Sequence, residues 1–252
     1  WNAKDEFNSQ SKKLYSNEET AINDTENLLT QSIKSQLISD VPVGTFLSGG
    51  IDSSLVSTLM QKKLSTKTKT FTIGFEDKKY DESVYAKKIA KIIGTEHNEL
   101  ILNQKEALNI IPNLSKVYDE PFADSSQIPT ILLSKFAKQQ ITVALTGDGG
   151  DELFGGYNRY VFLKNFWNKI SFFPYPIRKI FAQSIDIFPL NFINNFKGIF
   201  NLISGSNVAF FGDKVTKFSH KIKSIKNLDE LFLSSLSTFQ EPSSLLVNSK
   251  DL

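Results

Sequence analysis

Two glycine-rich stretches carry the residue types that could do chemistry. The first, Ser48-Gly49-Gly50-Ile51-Asp52-Ser53-Ser54, follows a short β-branched run and precedes a helical one. Its glycines let backbone N–H groups approach a phosphate without hindrance from a Cβ. Its three serines add hydroxyl donors, and the helix start behind it supplies a partial positive charge. Asp52 is out of place beside an anion unless a cation bridges the two, as when a carboxylate ligates magnesium next to phosphate oxygens. The stretch is not a Walker loop. Gly44 and Gly49 have that loop's separation, but Gly50 and Ile51 stand where Lys and Ser/Thr belong. Read without its context, Gly-Gly is also compatible with a plain tight turn, with Asp52 favoured by the helix dipole.

The second stretch is Thr146-Gly147-Asp148-Gly149-Gly150-Asp151-Glu152-Leu153-Phe154-Gly155-Gly156-Tyr157. Five of the chain's 13 glycines fall between Gly147 and Gly156, beside three acids. An ordinary turn needs one or two glycines, so packing is a weak account of five. The competing reading is a solvated acidic loop. Weaker signals are Asp119, Glu120 and Asp124, which serve equally as pocket or helix-capping residues. Asp81 and Glu82 read as caps, His97 as a satisfied structural histidine, and Arg159 as an ordinary ion-pair partner.

The elements around these stretches alternate. A capping box at Ser16-Asn17-Glu18-Glu19 opens a helix striped by Ile22, Leu29, Ile33 and Leu37. Strands are predicted at 43–47, 68–74, 97–102 and 141–145. Between them lie helices with faces at Ile51, Leu55, Val56, Leu59 and Met60, then at Tyr85, Ile89, Ile92 and Ile93. Further helices are predicted at 107–117 and 128–137. This alternation predicts an α/β fold, an open parallel twisted sheet with flanking helices. Ligands of such sheets sit beyond the C-terminal strand ends, where both glycine-rich stretches fall. Residues 1–15 are polar and aperiodic and read as a linker or junction, 16–160 as the α/β core, and 161–252 as an irregular helical annex. Fourteen of the 21 Phe lie in that annex, and buried core or interdomain aromatics are the expected reading.

The first stretch resembles the SGGxDS loop of the ATP-pyrophosphatase superfamily, whose fold is adenine nucleotide alpha-hydrolase-like. The second, together with Asp119-Glu120-Pro121-Phe122-Ala123-Asp124-Ser125-Ser126, resembles the synthetase domain of glutamine-hydrolysing asparagine synthetases. Phe71-Thr72-Ile73-Gly74-Phe75, Tyr80-Asp81-Glu82-Ser83 and Gly94-Thr95-Glu96-His97 match that family as well. The resemblance implies an ATP-dependent amide ligase that activates the aspartate side chain as β-aspartyl-AMP, releases pyrophosphate, and amidates with ammonia. It also implies ATP as substrate, Mg²⁺, a cytoplasmic setting and a glutaminase domain before Trp1, with room for a homodimer. By motif match, Ser48, Gly49, Gly50, Asp52, Ser53 and Ser54 hold pyrophosphate and metal, while Leu47 and Ile73 flank adenine. Thr146 and Gly147 lie at the nucleotide, Asp148 near the aspartyl group, Asp151 supplies a second metal ligand, and Tyr157 lines the acyl pocket. Asp148, Asp151 and Tyr157 are the catalytic candidates.

Two features depart from the family pattern. Thr146-Gly147-Asp148 stands where Ser-Gly-Glu is frequent, so the acid is one methylene shorter and the acyl substrate stays open. No Lys-Val-Asp-Arg-like stretch precedes Leu252, and Lys250-Asp251 does not replace it. The chain therefore reads as truncated, able to bind Mg-ATP but to form little acyl-adenylate alone. The alternatives are a relative adenylating another carboxylate, as β-lactam synthetases do, and a nucleotide-binding module without turnover.

Composition excludes other chemistries. The 252 residues carry a net charge of +2, and the only arginines are Arg159 and Arg178. Nucleic-acid reading and anionic-membrane binding are therefore disfavoured. Zero Cys and two His remove thiolate and histidine metal sites, disulfides and Cys nucleophiles. No apolar run reaches the roughly 18 residues of a membrane span.

Overall fold

Short runs rich in Val, Thr and Phe become strands because both sheet faces are covered by helices. The computed structural model describes residues 2–10, 14–79, 81–120, 124–185, 187–198, 201 and 210–236. Two compact units make up the chain, Trp1–Asp151 and Glu152–Leu252.

The first unit contains α1 (Ala3–Gln10), α2 (Glu18–Gln36), β1 (Val43–Phe46), α3 (Ile51–Lys63), β2 (Lys69–Phe75), α4 (Ser83–Ile93) and β3 (Glu96–Leu102). It continues through α5 (Gln104–Ile110), α6 (Leu114–Val117), α7 (Gln127–Ala137) and β4 (Val143–Leu145) to α8, Gly150–Phe154, which runs across the boundary. The four strands are all parallel, in the order β3-β2-β1-β4. The chain thus steps from β1 outward to β3, then returns to add β4 on the other side of β1. The switch point lies between the C-terminal ends of β1 and β4, the place where open α/β sheets bind ligands.

The two faces of the sheet differ in chemistry. Against α7, Phe71 and Ile141 pack with Ala137, Phe46, Leu133, Phe136 and Ala144, and Phe71 meets Phe136 edge to face at 5.9 Å. The face toward α3 and α4 is interleaved with hydroxyls. Thr45 Oγ1 bonds Ser57 Oγ of α3 at 2.6 Å, and Thr70 Oγ1 bonds both Thr95 Oγ1 and His97 Nδ1 at 3.0 Å. Apolar anchors flank them. Leu47 packs on Ala86 and Ala90, and Leu145 packs with Ile33, Leu59 and Met60.

Several expectations need correction. Residues 1–15 include a helix, α1, whose start is tied by Asn2 Oδ1 accepting from Lys4 N at 2.9 Å. The cap of α2 is the Asn17 side chain, accepting from Thr20 N, rather than Ser16. A complete capping box sits instead at Asn103 and Glu106. Ile22 is exposed, while Leu29, Ile33 and Leu37 pack inward. Ile51 is 86% exposed, because the first turn of α3 projects past the sheet into the loop region. On α4, Tyr85 and Ile92 face solvent, and the small residues Ser83, Ala86 and Ala90 form the buried face. Close approach to the first loop selects small side chains there. The helix predicted over 107–117 is α5, a 3₁₀ turn at Ile111–Asn113 and α6.

The described residues of the second unit are helical: α9 (Asn158–Ile170), α10 (Tyr175–Ile185), α11 (Leu190–Asn195), α12 (Phe211–Ser224) and α13 (Leu228–Leu236). Its core is Leu163, Ile225 and Leu231, with Phe166, Trp167, Leu228 and Phe232 around them. Arg178 is buried and donates to the carbonyls of Phe173, Ile225 and Lys226, beyond the end of α12, while stacking on Trp167 at 4.8 Å. The expectation of buried annex aromatics fails for most described phenylalanines. Phe172, Phe181 and Phe210 are among those exposed, whereas Phe211 is buried. The short helices offer fewer inward positions than the sequence has rings. No helix among the described residues is long and apolar enough to cross a membrane.

Candidate active site

Leu47 is buried at the end of β1, and its N–H donates to Phe71 O at 2.9 Å. The chain then turns at Gly49, with φ +84°. A Cβ there would stand 2.8 Å from Ala86 N and 2.9 Å from Tyr85 Cβ. Both the left-handed backbone and the contact with α4 require glycine. Gly50 is the extended N-cap of α3 and gives it no side-chain cap. The N–H groups of Ile51, Asp52 and Ser53 therefore have no acceptor within the helix, the arrangement that receives an anion.

The serines serve the loop itself. Ser53 Oγ accepts from Ser48 N at 3.1 Å, bonds Ser48 Oγ at 2.9 Å and donates to Gly50 O at 3.3 Å. Ser54 Oγ donates to Gly50 O at 2.6 Å, and Gly50 N donates to Ser48 Oγ at 3.2 Å. With these hydroxyls and the Ser48 and Gly50 N–H groups committed internally, the N–H groups of 51–53 are the donors the loop presents.

The second loop lies directly on this helix start. A Cβ at Gly147 would stand 2.6 Å from Ser53 N and 2.9 Å from the Asp52 carbonyl carbon. A Cβ at Gly150 would stand 2.6 Å from Asp52 Cγ and 2.8 and 2.9 Å from its two oxygens. The Asp52 carboxylate therefore rests against the Gly150 backbone, one residue before Asp151. Thr146 Oγ1 donates to Asp148 Oδ2 at 3.0 Å and accepts from Asp148 N at 3.3 Å, holding an exposed carboxylate in place. Ile73 sits on β2, the strand beside β1. Leu47, Ile73, both loops and Asp151 thus belong to neighbouring strand ends of the first unit.

Tyr157 belongs to the second unit. Its hydroxyl donates to Glu152 Oε1 at 2.6 Å, and the Arg159 guanidinium stacks 4.2 Å from its ring centroid. Glu152 is held below the usual carboxylate range, first by the Tyr157 hydroxyl and also by the charge of Arg159. Glu152 was not singled out from the sequence, although the five-residue spacing to Tyr157 across Gly155-Gly156 was a usable signal.

Other candidates have structural roles. Asp81 Oδ1 accepts from Ser83 N at 3.0 Å and Phe75 N at 3.4 Å, and Ser83 holds its carboxyl below the usual range. Asp124 accepts from Ser126 N at 2.8 Å at the start of α7, with its carboxyl likewise lowered by Ser126. Asp119 and Glu120 are exposed. Tyr80, Pro121, Phe122, Ala123, Lys250 and Asp251 lie outside the described residues. His97 is only half satisfied, since its Nε2 is buried without a partner. Among the described residues no three His, Asp or Glu side chains form a metal-holding group.

Comparison with known proteins points one way. Residues 24–241 match the asparagine synthase family. Asparagine synthetase (glutamine-hydrolyzing) 1 of Bacillus subtilis is 38% identical over 61% of this chain and 24% of its own length. Asparagine synthetase (glutamine-hydrolyzing) of Rattus norvegicus is 34% identical over 55% of this chain and 26% of its own. The matches thus span about a quarter of these curated relatives. An NH3-dependent NAD synthetase from Campylobacter jejuni is similar at 15% identity and a TM-score of 0.39, covering 81% of this chain and 97% of that one, a likeness too low to build on.

Proposed function

This chain belongs to the asparagine synthase family, and from that premise we propose that it carries the ATP-using site of an amide ligase. The observation that supports this most is the junction of the two loops: Asp52 and the uncapped start of α3 lie against Gly147 and Gly150. A triphosphate placed on the N–H groups of 51–53 meets donors with no protein acceptor. Leu47 and Ile73 flank the adenine, and Ser48, Gly49, Gly50, Ser53 and Ser54 shape the pyrophosphate cradle, beside Thr146 and Gly147.

A carboxylate is a poor electrophile, so the aspartate side chain attacks the α-phosphate, and pyrophosphate leaves. Ammonia from glutamine then attacks the acyl carbon of β-aspartyl-AMP, giving asparagine and AMP. Backbone donors at the α3 start stabilise charge gathering on the departing pyrophosphate. Asp148, latched by Thr146, stands at the aspartyl side. Asp52 and Asp151 fit Mg²⁺ as hard oxygen donors beside phosphate, since this ion usually takes one or two carboxylates and completes its shell elsewhere. When bound, the ion supplies charge neutralisation on the phosphates.

Aspartate-dependent ATP–pyrophosphate exchange by the protein carrying this chain tests the reading. Exchange that needs aspartate supports it. Exchange driven by another carboxylic acid instead favours the second reading, to which the short Asp148 side chain points.

A further inference from the structure

The row of strands stops at β3, which has β2 on one side and no strand among the described residues on the other. Glu96 N–H donates to Thr68 O at 2.9 Å, and Leu102 O accepts from Glu76 N–H at 3.3 Å. At the two-residue period of a strand, Glu96, Asn98, Leu100 and Leu102 therefore direct their backbone groups to β2. His97, Glu99 and Ile101 direct theirs outward, and no loop or turn bond takes them up among the described residues. The side chains of these residues stand on the α4 face of the sheet, where Lys87 Nζ reaches Glu99 Oε2 at 3.5 Å.

Above that edge α4 lays a row of cations. Val84, Lys87, Lys88 and Lys91 fall at i, i+3, i+4 and i+7, one face of the helix. With Glu99 and Ile101 they line an open cleft of about 440 Å³. Glu99 holds Lys87, whereas Lys88 and Lys91 have no acid partner among the described residues. Val84 and Ile101, both exposed, make the other end of the cleft apolar. A second copy of the chain would bring the same lysines to the same edge, so the row repels self-pairing and attracts an acidic chain.

We propose that the β3 edge is a docking site for an acidic, extended segment of a partner protein, which adds to the sheet beside β3. Main-chain bonds to His97, Glu99 and Ile101 supply the pairing. Acidic side chains at alternate positions of the segment meet Lys88 and Lys91, and an apolar one rests on Val84. β2 separates this edge from β1 and its loop, so docking leaves the crevice between β1 and β4 open.

The probe is a labelled peptide of alternating Glu and Thr ending in Val. Its control replaces each Thr with Pro, which keeps the charge but prevents strand pairing. Fluorescence anisotropy with the protein carrying this chain is expected to show binding of the first peptide, weakened by salt, and none of the second. In the complex, amide exchange should slow at His97, Glu99 and Ile101 and hold at Asn98 and Leu100, which already face β2. Lys88→Glu combined with Lys91→Glu is expected to weaken binding about tenfold or more. Ile101→Pro, which removes an outward N–H, should weaken it comparably, while Ile101→Val binds as the parent does. Binding of neither peptide, equal binding of both, unchanged exchange at the outward amides or indifference to the lysine substitutions overturns the proposal. Self-association of the unsubstituted protein with protection of the same amides also overturns it, since a second copy is then the occupant. If Ile101→Pro does not fold by circular dichroism, the exchange pattern decides whether the segment pairs as a strand.

Discussion

The two glycine-rich loops meet at the same strand ends but are held there by different means. The first is closed on itself, with Ser48 and Ser53 bonded to each other and, together with Ser54, to its backbone. The second has one side-chain latch near its start, Thr146 to Asp148, and a turn bond from Gly150 N–H to the Gly147 carbonyl, and it takes its place by lying on the first through Gly147 and Gly150. A rigid donor cradle and a carboxylate-bearing flap need different glycines. Gly49 is required by backbone sign as well as by contact, Gly147 and Gly150 by close approach, and Gly149 by its φ of +87° in open space.

Removing the charge at the junction should have the largest effect. Asp52→Asn keeps the shape beside Gly150 and is expected to lower ATP–pyrophosphate exchange roughly a hundredfold or more, with an unchanged circular dichroism spectrum. Full activity, or a loss traced to unfolding, would reject the role given to Asp52.

Wedging the loops apart comes next. Gly147→Ala pushes a Cβ into the backbone of Ser53 and should cost about 1–3 kcal/mol of stability together with most exchange activity. Gly149→Ala meets nothing within 4 Å, so it should carry only the left-handed penalty of about 1–2 kcal/mol and retain activity. If both variants lose activity alike, contact between the loops is not what matters.

The closure of the first loop and the latch of the second can be compared directly. Ser53→Ala strands the Ser48 N–H and should cost about 1–3 kcal/mol in chemical denaturation. Thr146→Val, at an exposed latch, should shift stability by less than about 0.5 kcal/mol but raise the KM for aspartate several-fold. A Thr146 variant as unstable as Ser53→Ala would erase the distinction between the loops.

The smallest effect should come from His97, away from both loops. Burial lowers its pKa below the ordinary value, Glu99 opposes this, and Lys87 adds to it. Above about pH 6.5 the ring is neutral folded or unfolded. As pH falls below that, the unfolded chain takes the proton first, so stability declines until the folded state titrates too. Urea midpoints at pH 7.5 and 5.5 should differ less in His97→Gln than in the parent. Equal differences would assign the pH dependence elsewhere.

Much of this arrangement was legible in residue order. Three of the four strands announced themselves as β-branched runs, all four by the glycine or turn residues at their ends, and the loops by glycine density beside acids; β3, with Ile101 as its one β-branched residue, was the weakest signal. What stayed hidden depends on three-dimensional approach. That Asp52 rests on Gly150 follows from the switch between β1 and β4, which no local pattern encodes. Tyr85 and Ile92 satisfied helical spacing yet face solvent, because the buried face of α4 had to be small against Gly49, and Ile51 does so because the first turn of α3 projects past the sheet. In the annex, hydrophobicity was a poor guide to burial, because the number of rings exceeds the inward positions of short helices.

The unlike faces of the sheet bear on how the strands find their alignment. An apolar face of Phe71, Phe46 and Ile141 gives cohesion but tolerates displacement, since one ring packs on another in many ways. The hydroxyl face does not. Were β1 to slide one residue against β2, Thr45 would turn toward the rings under α7 and lose Ser57, and a buried hydroxyl without a partner costs about 1–3 kcal/mol. The Thr70 to His97 pair imposes the same condition on β3. Grease on one side and a row of keyed contacts on the other make misalignment expensive at each strand boundary. The first glycine-rich loop inherits that accuracy directly, because it begins three residues after Thr45, and the second inherits it through β4, which pairs with β1.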